Sequence, residues 1–261
     1  MNDQRVALVT GGGTGIGAAV ARRLGADGLR IAVSGRRPSP LESVAAETGA
    51  LAIVADTSTR EGAERAVAAC IEELGRLDVL VLNAGIGGAG SLLDMDPDVF
   101  ERVLATNLTG AFLTARAAIR ELIARKGTIV TVASVAGLRA SSGSLAYNSS
   151  KAALVMLTQC LALDHGPAGV RANCVCPGWT RTPMADGEMD DLGESLGLGR
   201  EGAYATATAE VPLRRAATAD EVAATVAWLA SPEASYVNGA VLPVDGGSIV
   251  VDVATTVFGK Q

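Results

Sequence analysis

Short apolar runs, each followed by a longer alanine-rich segment, recur along this chain and leave it very few architectures. The runs are VALVT (6–10), IAVSG (31–35), LAIVA (51–55), VLVLN (79–83), GTIVTVAS (127–134), ANCVCP (172–177) and AVLPV (240–244). Helical patterns fall over 15–26, 40–48, 59–75, 97–125, 145–164 and 219–230. Nearly continuous β-branched runs, without polar alternation, indicate strands buried on both faces, as in a parallel sheet covered by helices. The expected fold is therefore α/β: a Rossmann-like, doubly wound, seven-stranded parallel sheet with helices on both faces. No repeat or linker interrupts residues 1–261, so one domain is expected. Only 3% of residues are aromatic while 49% are hydrophobic, so the core must be aliphatic. Thr218, with Glu221 three residues on, marks a capping box at the start of the last helix.

Charge and cysteine usage narrow the partners. The net charge of −6 argues against nucleic acid and anionic membrane surfaces. No apolar run approaches the ~20 residues of a membrane span, and MNDQRVALVTGGG enters a strand at once without a signal-peptide layout. A cytoplasmic location is expected. Cys70, Cys160, Cys174 and Cys176 are too few and irregular for a secreted disulfide scaffold. With His165 as the only histidine, no metal site is expected.

The loop TGGGTGIG (10–17) lies between the first strand and the first helix, where glycines let the backbone approach a pyrophosphate and the helix N-terminus attracts it. A Walker loop needs lysine after its last glycine, and Ala18 stands there. G-x-G-x-x-G fails at Ile16. The spacing that fits is T-G-x-x-x-G-x-G, with Thr10, Gly11, Gly15 and Gly17. At the end of the second strand, Gly35 is followed by Arg36 and Arg37 with no carboxylate before Glu42, a pattern suited to the 2′-phosphate of NADP rather than the 2′-hydroxyl of NAD.

In AYNSSKAAL (146–154), Tyr147 and Lys151 stand at i and i+4 on a helix, sharing a face. A free tyrosine, with pKa near 10, is a sluggish base. A nearby ammonium favours the phenolate and would bring that value toward the working pH, where acid/base catalysis is effective.

Together with NAG (83–85), TNLTG (106–110), Ser134 in VASVAG, PGWTRT (177–182) and VDGG (244–247), in this order, these motifs resemble the short-chain dehydrogenase/reductase family in its compact single-domain form. The resemblance implies that Asn107 supports a proton relay and that Ser134 hydrogen-bonds the substrate carbonyl. It makes Tyr147 the catalytic acid/base and gives Lys151 the nicotinamide ribose. It places Gly11, Thr14, Gly15, Ile16, Gly17 and Arg36 around the phosphates, Asp56 by the adenine, and Asn83, Ala84 and Gly85 under the adenosine ribose. It adds Pro177, Gly178, Thr180 and Thr182 near the nicotinamide. It also implies a homotetramer or homodimer.

Residues 183–211 are polar and Gly-punctuated beyond the carboxyl end of the sixth strand, and read as a lid over a substrate site. Substrate-pocket candidates are Val135, Gly137, Ser141, Trp179 and Met184. The acids Asp186, Glu188, Asp190, Asp191 and Glu194 disfavour a highly anionic substrate. The expected function is NADP-dependent interconversion of a ketone or aldehyde and a secondary or primary alcohol by hydride transfer, with steroids, sugars, polyols and small diketones all open as substrates. An NAD-dependent alcohol or polyol dehydrogenase and a 3-ketoacyl-carrier-protein reductase are alternatives within the family. A non-catalytic dinucleotide sensor and a dehydratase or epimerase that retains its cofactor are the other classes.

Overall fold

The computed structural model describes residues 4–259. Every apolar run of the sequence becomes a strand: β1 (Val6–Thr10), β2 (Arg30–Gly35), β3 (Leu51–Val54), β4 (Val79–Leu82), β5 (Thr128–Val132), β6 (Arg171–Pro177) and β7 (Val241–Val244). They form one parallel sheet in the order β3-β2-β1-β4-β5-β6-β7.

Alternate side chains of each strand enter different cores, because successive residues of a strand point to opposite faces. Val6, Leu8, Leu80 and Ile129 meet α3 (Arg60–Leu74), α5 (Gly110–Arg125) and α6 (Leu145–His165). Ala7, Val9, Val79, Val81 and Val130 meet α1 (Gly15–Ala26), α2 (Pro38–Thr48) and α9 (Ala219–Ala230). Both cores are built from aliphatic side chains, with Cys70, Cys174 and Cys176 added in the first. At α9 the Thr218 hydroxyl accepts from Glu221 N at 3.3 Å, and the Glu221 carboxylate accepts from Thr218 N at 2.9 Å, closing the capping box.

Two segments depart from the sequence pattern. The long helix expected over 97–125 is α4 (Pro97–Leu104) and α5, joined by a π-helical turn at Ala105–Thr109. The wider turn inserts residues without breaking the helical path, a rare arrangement often tied to function; no periodicity signal announces it. The polar stretch 183–211 is not irregular but contains two helices, α7 (Pro183–Leu196) and α8 (Arg200–Ala207). Pro183 opens α7, the Thr182 hydroxyl caps it from Ala185 N at 3.2 Å, and Gly197 in the left-handed region ends it. A small cluster of Ala185, Met189, Ala203, Tyr204 and Ala216 supplies the apolar seam, too sparse to register as a hydrophobic repeat. Arg181 grips Glu201 with both nitrogens and lies 4.4 Å from the Tyr204 ring centre, while Tyr204 donates to Asp186.

Winding reverses between β1 and β4: the chain leaves β1 toward β2 and β4 toward β5. That divergence opens a crevice at the carboxyl ends of the strands. At the opposite end, buried Asp78 accepts from Val6 N at 2.8 Å and from Arg76 at 2.7 and 2.8 Å, tying β1 to β4. Asp78→Ala should lower the unfolding free energy by about 2–4 kcal/mol, because it strands a buried N–H and removes a charge partner. Urea titration measures this, and a loss below about 0.5 kcal/mol, the range of ordinary surface changes, would contradict the tie.

Candidate active site

The crevice begins at Thr10, the last residue of β1. Its hydroxyl accepts from Asn83 N at 3.0 Å and Ala84 N at 3.1 Å and donates to Val81 O at 3.2 Å. The Asn83 amide returns hydrogen bonds to Thr10 O at 2.9 Å and Gly11 O at 3.2 Å. The ends of β1 and β4 are thereby stitched into one floor. The glycine loop lies on it so closely that a Cβ at Gly17 would fall 2.3 Å from Gly11 O. Gly11 and Gly15 have φ of 64° and 55°, a region that favours glycine. Thr14 caps α1 without a side-chain hydrogen bond, leaving the first-turn N–H groups of the helix for an anion.

A cavity of about 260 Å³ runs over this floor. Of the residues expected to hold a cofactor, Gly11, Thr14, Gly15, Ile16, Arg36, Asp56, Asn83, Ala84, Gly85, Tyr147, Lys151 and Thr182 line it, and Gly17, Pro177, Gly178 and Thr180 do not. Gly17 acts by allowing the loop to close. Pro177 offers its carbonyl to Ser134 at 3.5 Å, and the Thr180 hydroxyl is spent on Gly178 O at 3.0 Å. At one end Arg36 and Arg37 stand near Asp56. Burial pushes the Asp56 carboxyl up, but hydrogen bonds from the Ser58 hydroxyl and N–H and the Arg36 charge outweigh it, so the group is held below the usual carboxylate value.

At the other end, the four residues expected to be catalytic come from three places: the π-helical turn, the end of β5 and α6. Asn107 sits in the π-helical turn, fully buried. Its carbonyl oxygen accepts from Ile86 N at 2.8 Å, and its amide donates to Ile86 O and Ser150 Oγ, each at 3.0 Å. Ser150 in turn donates to Tyr147 O at 2.8 Å, so the turn holds the start of α6. Ser150 escaped the sequence reading; nothing but its place beside Lys151 distinguishes it from other helix serines. Ser134 caps a short 3-10 turn after β5 by accepting from Ala136 N at 3.1 Å.

Lys151 is only 4% exposed, and its ammonium donates to Val132 O at 3.0 Å, 5.5 Å from the Tyr147 ring centre. Burial lowers its pKa to about 8. The expected fall in the tyrosine pKa is not what the structure gives. Burial penalises the phenolate and pushes Tyr147 above its ordinary value, with the Ser134 hydroxyl pulling it back and Glu188 pushing it further up. Tyr147 stands in this site as a phenol, a proton donor.

The pocket candidates divide. Met184 lines the cavity. Gly137 is a packing position, since a Cβ there would meet Lys151 O at 2.7 Å. Val135 forms the same 3-10 turn, and Ser141 is hydrogen-bonded to Asn148 at 2.9 Å. Trp179 faces a separate cavity of about 100 Å³ with Thr208, Val211 and Leu213, because its strand-end neighbour turns toward Ala217.

The residues present suit a dinucleotide: a glycine floor, open helix N–H groups and two arginines at one end, a buried lysine at the other. Gly17→Ala should therefore reduce dinucleotide affinity more than tenfold while the fold persists, since the added methyl meets backbone and must lift the loop (~1.4 kcal/mol per factor of ten). Fluorescence titration with NADPH checks this, and unchanged affinity would contradict the role given to the loop.

Comparisons with known proteins agree with this geometry. The family profile described as enoyl-(acyl carrier protein) reductase matches residues 11–248. The chain is 42% identical over 258 residues to protein MoaE of Klebsiella aerogenes, covering 97% of this chain and 99% of that one. It is 37% identical over 253 residues to meso-2,3-butanediol dehydrogenase of Serratia marcescens, covering 96% of each. A solved actinorhodin polyketide ketoreductase, crystallised with NADPH, superposes with a TM-score of 0.90 at 36% identity, over 95% of this chain and 98% of that one. The chain belongs to the short-chain dehydrogenase/reductase family, NAD(P)-dependent oxidoreductases that act on carbonyl and CH–OH groups.

Proposed function

We propose that the protein reduces the carbonyl of a small, uncharged or cationic ketone or aldehyde with NADPH, Tyr147 giving the proton. The observation that carries this is the pair of buried Lys151 and half-buried Tyr147 beside Ser134, at one end of a cavity whose other end holds Arg36 and Arg37. When bound, the dihydronicotinamide supplies hydride to the carbonyl carbon. Ser134 Oγ donates to the carbonyl oxygen and stabilises the charge that grows there. The Tyr147 phenol, kept protonated by burial, passes its proton to that oxygen. Lys151 holds a positive charge 5.5 Å from the centre of the Tyr147 ring and would bind the nicotinamide ribose. Asn107 and Ser150 fix the first turn of α6, so the phenol keeps its place. The pair α7 and α8 covers the substrate end as a lid, with Met184 on its inner side.

Arg36 and Arg37 support NADP over NAD, as guanidinium groups pair with a phosphate. The acidic lid weighs against an acyl-carrier substrate, and the butanediol dehydrogenase relative favours small ketones and diols. A homotetramer or homodimer in the cytoplasm belongs to the same reading; exposed Phe112 on α5 and Met156 and Leu163 on α6 support an interface there.

A 340 nm screen of ketones and alcohols with NADPH and NADH tests the proposal. Tyr147→Phe should abolish turnover and leave NADPH binding nearly intact; persistent turnover would remove Tyr147 from its role. Arg36→Ala should raise the KM for NADPH by about tenfold or more, the worth of a charged hydrogen bond, and the KM for NADH little. Equal effects would overturn the NADP preference. The value of kcat/KM for NADPH, which reports the free enzyme, should fall as pH rises through about 8, where Lys151 loses its charge. A profile flat from pH 7 to about 10, the ordinary lysine range, would contradict that assignment.

A further inference from the structure

Among the described residues, Glu188, Asp191 and Glu194 of α7 carry no side-chain hydrogen bond or ion pair, and of the three Glu188 reaches the loop after β4. α7 buries Ala185, Met189 and Gly193, with α8 packed beside it. Met184 and Glu188, one turn apart, share another side of the helix, and Met184 lines the cavity with Tyr147. A Cβ on Gly87 would lie 3.3 Å from Glu188 Oε1, so this carboxylate reaches the loop after β4, where glycine leaves it room. Two neighbouring acids of α7 are engaged: Asp186 accepts from Tyr204 at 2.8 Å, and Asp190 pairs with Arg200. Among the described residues no hydrogen bond or ion pair engages Glu188. Its charge acts on Tyr147, and its own pKa is raised by burial and then by Asp191. This exposed carboxylate offers only acceptors to whatever occupies the crevice beside it, so a ligand that brings a donor suits it.

We propose that Glu188 reads the substrate, accepting a hydrogen bond from a hydroxyl or ammonium group on the carbon next to the reacting carbonyl. The substrate class is then an α-hydroxy or α-amino ketone, or in the reverse direction a vicinal diol or amino alcohol. The inference rests on carbonyl reduction at Tyr147 and adds what the crevice selects. A carbonyl held by Ser134 and Tyr147 would extend its neighbouring substituents toward Met184, one turn from Glu188, and toward the Gly87 loop that Glu188 reaches. Plain ketones leave the carboxylate unpaired, and anionic keto acids oppose it.

The test compares kcat/KM for butanone, 3-hydroxy-2-butanone and 3-amino-2-butanone in the wild type, Glu188→Leu and Glu188→Gln. The wild type should prefer the hydroxy and amino ketones over butanone by about ten- to hundredfold, the worth of a hydrogen bond to a charged group, mainly in KM. Glu188→Leu should collapse both preferences. Glu188→Gln, which keeps an acceptor oxygen without charge, should keep the hydroxy preference and lose the amino one. A hydroxy preference unchanged in Glu188→Leu overturns the proposal, as does a wild type without preference. Binding of the same ketones to NADPH-loaded Tyr147→Phe protein, read by calorimetry, separates the two claims. Glu188-dependent binding without wild-type turnover sinks the reaction and keeps the reader; turnover without Glu188 dependence does the reverse. A protein that neither binds nor reduces these ketones overturns both.

Discussion

A charged amine held almost out of water is the constraint around which this site is arranged. Lys151 keeps one protein acceptor for its ammonium, the carbonyl of Val132 at the end of β5, and pays for its burial with a pKa lowered to about 8. The surroundings must come close without bringing bulk. A Cβ at Gly85 would lie 3.4 Å from both Lys151 Nζ and Asn107 Oδ1, and one at Gly137 would run into the Lys151 carbonyl. Small residues there let the loop after β4 and the turn after β5 lean on α6. Ser134, Tyr147 and the floor of the crevice take their positions from that contact.

Burial also decides how the tyrosine works. Sequence spacing suggests that a lysine one turn away makes the phenol acidic, yet the ammonium points to a carbonyl, and burial of the phenol outweighs the Ser134 hydrogen bond that favours its ionised form. The result suits a group that must carry a proton into the reaction. Glu188 works in the same direction from the lid side. Acid character at Tyr147 is thus a property of the closed crevice as a whole, spread over a strand end, a helix and the lid.

Much of this was legible in the chain. Strand runs without polar alternation announce a sheet covered on both faces, and each became a strand because an aliphatic residue fits either core. Thr10, Gly11, Gly15 and Gly17 show the loop type because spacing alone encodes it. Other features carry no local signal. The π-helical turn at Asn107 depends on one extra residue's worth of winding within an otherwise helical pattern, and Ser150 becomes a brace only because Asn107 arrives from another helix. The stretch 183–211 shows no helical repeat in sequence because Asp, Glu and Gly dominate it, while its order comes from a five-residue cluster and Arg181 clasping Glu201 and Tyr204. Trp179 lies within PGWTRT but turns to another cavity, since neighbours along a chain need not share a face.

The chain's three lysines, Lys126, Lys151 and Lys260, make the central claim directly measurable. With 13C-labelled lysine, the ε-methylene signals can be followed against pH in the intact protein, and Lys151→Arg assigns the signal that disappears. One signal, that of Lys151, should titrate near 8, well under the ordinary lysine value of about 10.4. If the Lys151 signal does not move until above pH ~10, its ammonium is solvated, and the arrangement described around it does not hold.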